Sequence, residues 1–332
     1  MGGNALGPRA EAAPERLNSA ITQEGGQGLI RSGVDADWIG LPRRAGDMLA
    51  PLIGADSGEV VFGDSTSVCL FKLASALLMA SGARRKVITE RENFPTDIYI
   101  LEGLIRLLGN RHQLVLVSPD EVEQEIDDDT ALVVLTHVNY RTGALFDMKE
   151  ITASARANNA PIIWDLCHSA GALPVDLNGD GVDYAIGCSY KYLNGGPGSP
   201  AFTYVSRSAI SSYEPVLTGW HGHARPFAFE SSYESASSID KAMVGTPPVL
   251  SMTGVLTGLN TFAGVNMADL REKSLGLSNL FINLVRERLG EFEFEIASPL
   301  DGAKRGSQVS LVHKDGYAIM QYLIANGFIG DF

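Results

Sequence analysis

The sequence predicts an α/β protein: a mostly parallel sheet covered by helices on both faces, followed by a smaller α+β region. Two observations carry this. Seven short β-branched runs alternate with helical stretches from Glu59 onward, and the runs are continuously apolar rather than alternating, as strands buried on both faces are. From about Pro248 the texture changes to long amphipathic helix and then to two further strand-like runs.

Residues 1–57 are rich in Gly, Ala and Arg, with helical stretches at Pro14–Ile21 and Arg43–Ile53. The strands are expected at Glu59–Phe62, Lys86–Thr89, Gln113–Val117, Ala131–Thr136, Pro161–Trp164, Tyr184–Cys188 and Ala201–Val205. Helices are expected between most of them, notably Thr66–Ala80, Thr96–Leu108 and Met148–Asn158. An amphipathic pattern then runs from Leu250 to Leu289, broken near Gly264–Asn266. Strand-like Phe292–Ile296 and Gln308–Val312 and a helix at Tyr317–Ala325 complete the chain. These shifts divide it into an N-terminal segment, 1–45, that joins the small domain, a large domain, 46–262, and a C-terminal small domain, 263–332.

The 332 residues are 45% hydrophobic and 20% charged, enough apolar material for a large core and too much for extended disorder. The net charge of −13 argues against nucleic acid and anionic membrane as partners. Acidic runs such as Glu121–Asp129 read as solvated faces. Cys69, Cys167 and Cys188 show no paired spacing and sit in apolar contexts, so they read as core thiols of a reducing compartment. There is no apolar run of about 18 residues and no leader-like opening, which predicts a soluble, cytoplasmic protein. His221 and His223 have no acidic or Cys partner spaced to complete a metal site, so no metal is expected.

Four segments carry candidate chemistry. In Cys188–Gly198 a single Lys191 follows a strand and precedes a Gly-rich turn. Burial of such an amine favours its neutral, nucleophilic form, and the glycines let backbone approach a ligand. Taken alone, a surface Lys before a tight turn is the commoner explanation. Asp165 closes an apolar strand, where ligands of open α/β sheets bind, and His168 lies three residues on. A buried Asp needs a cation such as a protonated pyridine nitrogen, although capping of the next helix explains it equally well. Asp64-Ser65-Thr66-Ser67 joins a strand to a helix, a place where backbone N–H groups and hydroxyls cradle phosphate, or where a simple N-cap sits. In Asn93–Asp97, Phe94 can stack on an aromatic ring and Asp97 can reach a polar edge, although the segment also reads as an ordinary turn with Pro at the helix start. The order of phosphate cup, stacking aromatic, strand-end Asp and Lys is that of pyridoxal-phosphate (PLP) enzymes with the aspartate-aminotransferase-like fold.

The motifs narrow this further. SYKYLNGGPG at Ser189–Gly198, STSV at Ser65–Val68, NFPTD at Asn93–Asp97, THVNYRTG at Thr136–Gly143, WDLCHSAG at Trp164–Gly171, GWHGH at Gly219–His223, VGTPPVL at Val244–Leu250 and GNALG at Gly3–Gly7 together resemble the kynureninase family. The resemblance runs from residue 3 to residue 332. It implies a fold-type-I PLP enzyme with a seven-stranded sheet in the large domain. The expected reaction is hydrolysis of L-kynurenine, or its 3-hydroxy form, to anthranilate, or 3-hydroxyanthranilate, and L-alanine. That places the protein in tryptophan catabolism by the kynurenine pathway, toward NAD biosynthesis.

By the same resemblance Lys191 holds the cofactor as a Schiff base and then acts as base, and Asp165 pairs with the pyridine nitrogen. Thr66, Ser67 and Tyr190 contact the phosphate, and Phe94 packs on the ring. Asp97 and His168 bind around the ring, and Thr136 lies near it. Trp220 and Thr246 complete the phosphate and substrate region at a homodimer interface. Tyr190 is a candidate for assisting proton transfers. Two departures stand out. Cys69 stands where the family usually has Asn. The family's strands after the GFIGDF-like segment, with an Arg for the substrate carboxylate, lie beyond Phe332, so the sequence reads as a fragment, a truncated form or a naturally short homologue. Rival expectations are a cysteine desulfurase or aminotransferase of the same fold, or a PLP-binding homologue without catalysis.

Overall fold

The structure is a computed structural model describing residues 4–332, so Gly3 of the GNALG motif lies outside the described residues. In chain order it contains α1 (Ala13–Ser19), α2 (Ser32–Asp35), α3 (Leu41–Leu49), β1 (Val60–Phe62), α4 (Thr66–Ala80), β2 (Lys86–Glu90), α5 (Pro95–Leu107) and β3 (Gln113–Val117). Then follow α6 (Val122–Glu125), β4 (Thr130–Thr136), α7 (Met148–Ala157), β5 (Ile162–Asp165), β6 (Tyr184–Gly187) and β7 (Phe202–Val205). The remainder is α8 (Val249–Asn260), α9 (Met267–Leu289), β8 (Glu295–Ile296), β9 (Leu311–Val312) and α10 (Gly316–Ala325).

Strands β1 to β7 form one sheet in the order β1-β7-β6-β5-β4-β2-β3. The pairs β6-β5-β4-β2-β3 are parallel, and β7 runs antiparallel to both of its neighbours. All seven predicted strands are present, within two residues of their expected ends. Continuous apolar runs behave as expected because both faces are covered. In β4 every residue is buried, with Val133 and Leu135 facing one core and Leu132 and Val134 the other. The first core packs α3, α7 and α8 on the sheet, and the second packs α4 and α5. Trp164 is fully buried in the first, and its indole N–H donates to the Thr152 hydroxyl at 3.0 Å, so its polar atom is satisfied.

Differences concentrate at the two ends of the chain. The expected Pro14–Ile21 helix stops at Ser19 and widens into a π-helical stretch, Ala20–Gly28. The expected strands Phe292–Ile296 and Gln308–Val312 shrink to two residues each. Gly290–Phe292 is a 3₁₀ turn and Glu293 takes φ +57°, which breaks an extended run. On the other side the Ser307 hydroxyl donates to the Ala172 carbonyl at 2.9 Å and the Gln308 amide to the Tyr140 carbonyl at 2.8 Å. Those residues are spent on the large sheet's loops rather than on a ladder.

Candidate active site

Parallel register brings the candidate residues to one end of the sheet. Thr136, the last residue of β4, pairs with Asp165, the last of β5, and Asp165 also pairs with Ile186 of β6. The segments after β1, β2, β5 and β6 leave the sheet at this end, where open α/β sheets bind ligands. A cavity of about 790 Å³ opens there. Thr66 and Ser67 from the start of α4, Phe94 and Asp97 from the start of α5, and Asp165 and His168 after β5 line it. Tyr190 and Lys191 after β6, and Thr246 before α8, complete the wall.

Lys191 is half-buried, less enclosed than its sequence context predicts. Its Nζ donates to His168 Nε2 at 2.9 Å and lies 5.9 Å from the Phe94 ring centre and 5.8 Å from that of Tyr190. The loop that carries it is fixed from several sides. Gly195 N–H donates to the Ser189 carbonyl at 2.8 Å, and the Ser189 hydroxyl donates to the Pro200 carbonyl at 2.5 Å. Gly7 N–H donates to the Tyr190 carbonyl at 2.8 Å, and a Cβ at Gly7 would stand 2.0 Å from the Lys191 carbonyl oxygen. The N-terminal GNALG segment is therefore a seat for the lysine loop, and its glycine is required by close backbone approach.

The cavity floor is electrostatically unsettled within the chain. Burial pushes the Asp97 carboxyl well above the usual carboxylate range, and the neighbouring Asp165 carboxylate pushes it further. Burial also raises Asp165, opposed by the Cys167 N–H that donates to its Oδ1 at 2.8 Å. The pair thus favours holding a proton, with Asp165 the better placed of the two to carry the charge. Burial, then the Lys191 charge, brings the His168 imidazole down to about 3, so its Nε2 is a neutral acceptor for the lysine. Asp97 Oδ2 and His168 Nδ1 are buried with no hydrogen-bond partner. Tyr190 is raised above the usual phenol value, first by burial, and stays a protonated donor.

At the α4 end Ser65 is the N-cap, its Oγ accepting from Val68 N–H at 3.4 Å, while Asp64 precedes it at φ +58°. Cys69, the departure from the family pattern, lies behind this cup with its thiol donating to the Gly63 carbonyl at 3.2 Å. Two expected residues do not line the cavity. The Thr136 hydroxyl donates to Asn93 Oδ1, which also accepts Phe94 N–H at 2.7 Å, so Thr136 stands behind the wall. Trp220 lies on a 3₁₀ turn, stacked on His221 with ring centres 5.0 Å apart and near Phe227 and Phe229. Ser65, read from sequence as part of the phosphate cradle or its N-cap, and Cys167, read as a core thiol, also line the cavity, and so do Thr96, Ser199 and Ser251, which were given no site role from sequence. Thr96 and Cys167 stood inside quoted motifs, whereas nothing local marks Ser199 or Ser251. Among the described residues no cluster of three or more His, Cys, Asp or Glu could hold a metal, and no helix is long and apolar enough to cross a membrane.

Comparison with known proteins fits this geometry. A model described as the kynureninase C-terminal domain matches residues 270–332, and one for the DegT/DnrJ/EryC1/StrS aminotransferase family matches residues 79–178. A cysteine desulfurase from Thermococcus onnurineus NA1 superposes with TM-score 0.81 at 19% identity, over 98% of this chain and 82% of that one. A C-DES mutant solved with glycine covalently linked to its PLP cofactor superposes with TM-score 0.80 at 16% identity, over 99% of this chain and 87% of that one. These two share the fold, that of fold-type-I PLP enzymes. The sequence speaks more narrowly: kynureninase from Pseudomonas fluorescens is 51% identical over 337 residues, covering all of this chain and 81% of the relative. On that identity and coverage, the chain belongs to the kynureninase family.

Proposed function

We infer that the protein is a kynureninase that uses pyridoxal phosphate to hydrolyse L-kynurenine to anthranilate and L-alanine. The observation that carries the site reading is the meeting of Lys191 and two proton-sharing carboxyls, Asp97 and Asp165, in one cavity. The residues fit the cofactor. Buried carboxyls that, among the described residues, have no ion-pair partner in contact suit a protonated pyridine nitrogen, the unpartnered Asp97 Oδ2 and His168 Nδ1 suit a ring with polar edges, and the α4 N-terminus suits a phosphate. When bound, pyridoxal phosphate supplies an aldehyde carbon for amines and a ring that withdraws electrons from the bonds around it.

The chain's own residues supply the rest. Asp165 keeps its negative charge for the ring nitrogen, helped by the Cys167 N–H. Thr66, Ser67 and Tyr190 hold the phosphate, and Thr246 closes that wall. Phe94 covers the ring, Asp97 and His168 bind around it, and Thr136 braces Asn93 and through it Phe94. Neutral His168 steadies the Lys191 amine, which takes the substrate's α-proton once released. Tyr190, protonated and beside Lys191, donates protons as the Cβ–Cγ bond opens. The chain divides into the N-terminal segment, 1–45, the cofactor domain, 46–262, and the small domain, 263–332. Trp220 serves the cofactor site of a second copy in a homodimer, a reading supported by the exposed Phe227 and Phe229 beside it. Three free, buried thiols support a cytoplasmic location, as tryptophan catabolism requires no oxidising compartment.

The test is to mix the protein with pyridoxal phosphate and L-kynurenine while following anthranilate fluorescence and the visible cofactor band. Lys191→Ala is expected to lower turnover by about 10²–10⁴-fold or more. Tyr190→Phe is expected to slow turnover and keep the band. Full activity in Lys191→Ala would remove the lysine from the reaction, and unchanged turnover in Tyr190→Phe would remove the tyrosine.

A further inference from the structure

We propose that Lys72 is a positioning residue for the phosphate end of the cofactor site, acting from beneath the α4 N-terminus. The proposal rests on the reading that this cavity holds pyridoxal phosphate. Lys72 is 1% exposed inside an otherwise apolar stretch of α4. A buried ammonium is costly unless its donors are met. Its Nζ donates to Asp64 Oδ2 at 2.7 Å and to the Ala242 carbonyl at 2.6 Å. Lys72 does not itself line the cavity, so it acts through these partners.

Both partners lead directly to cavity walls. Asp64 lines the cavity and immediately precedes the N-cap Ser65, with a left-handed backbone that Asp tolerates better than most L-residues. Its dihedrals set the direction in which the first N–H groups of α4 point. Ala242 ends the 3₁₀ turn Ile239–Ala242, four residues before Thr246, which also lines the cavity. That turn is held from its other side by Lys241, whose Nζ donates to the Ile210 and Tyr213 carbonyls at 3.1 and 3.0 Å. One ammonium therefore ties the start of α4 to the turn that leads to Thr246, across 170 residues of sequence. A lysine that only filled the core would affect every ligand of the cavity alike, whereas one that sets the cup acts on the phosphate alone.

Pyridoxal, which lacks the phosphate, separates the two. Dissociation constants for pyridoxal phosphate and pyridoxal are measured on the full chain by cofactor absorbance and tryptophan quenching, with circular dichroism as the check on folding. Lys72→Met is expected to weaken pyridoxal phosphate about tenfold or more while pyridoxal changes less than about twofold. Asp64→Asn, which suits the left-handed backbone and leaves the helix sequence intact, is expected to shift the same ratio in the same direction. Equal weakening of both ligands, or unchanged pyridoxal phosphate binding in the folded variants, overturns the role of Lys72. The double variant Thr66→Ala, Ser67→Ala tests the underlying site. A phosphate-selective loss there without one at Lys72 and Asp64 refutes only the lysine's role, and no selective loss there refutes the cofactor placement itself.

Discussion

Asp97 and Asp165 set the behaviour of the site at the residue scale. Both carboxyls titrate higher in the cofactor-free fold than in the unfolded chain, so the fold binds more protons than the unfolded state. Their contribution to stability is then complete below the unfolded carboxylate range and is lost as pH rises through the folded values. Asp97→Asn removes one of the two charges that the cavity must otherwise accept. The cofactor-free variant is expected to show a flatter fall in unfolding temperature as pH rises above the ordinary carboxylate range, and to be the more stable protein at the upper end. Cofactor affinity should fall in the same variant, because the ring loses the Asp97 carboxyl beside it. Parallel pH slopes for the two proteins would mean that the pair does not share a proton. The candidate carboxylates were legible in sequence. That they face each other was not, because it follows from the β4–β5 register and the start of α5.

At the element scale, the packing of α8 on the lysine loop decides where Lys191 stands. A Cβ at Gly258 would lie 2.4 Å from the Leu193 carbonyl oxygen and 2.6 Å from the Asn194 carbonyl carbon. Gly258 stands in the last turn of α8, where replacing glycine by alanine gains at most about 1 kcal/mol of helix propensity. Here the contact is backbone against helix and cannot turn aside, so overpacking of about 1–3 kcal/mol opposes that gain. Gly258→Ala is expected to lower the unfolding midpoint and weaken cofactor binding, since the loop carrying Lys191 must move. A higher midpoint with normal binding would show that the loop yields freely. The helix itself was evident from its amphipathic pattern, and α4 was expected at its observed limits, Thr66–Ala80. Strands β8 and β9 were placed from sequence but their shortness was not, because Ser307 and Gln308 bond to Ala172 and Tyr140 instead of extending a ladder.

For the whole molecule the outstanding surface is the aromatic group around Trp220. Phe227 and Phe229 are 61% and 75% exposed, and their ring centres lie 5.7 and 6.5 Å from that of Trp220. Apolar rings displayed together in water mark an interaction surface. A second copy covering them would bury the patch and bring Trp220 to a cofactor site that its own chain does not offer it. The double variant Phe227→Ser, Phe229→Ser is expected to shift the protein from dimer to monomer in sedimentation and to weaken pyridoxal phosphate binding. A monomeric parent protein, or a variant that stays dimeric with full affinity, would remove this assembly.

The sequence by itself determined the sheet, its covering helices, the family and the candidate site residues at Lys191, Asp165 and the α4 start, because apolar period, turn chemistry and motif order are local properties of the chain. Tertiary structure alone decided which of them share a cavity. Thr136 is displaced behind Asn93, Trp220 lies away from its own chain's site, and Lys72, unremarkable in an apolar helix, reaches Asp64 and Ala242. Burial and long-range hydrogen bonds join residues distant in sequence, and no local pattern encodes such a partner.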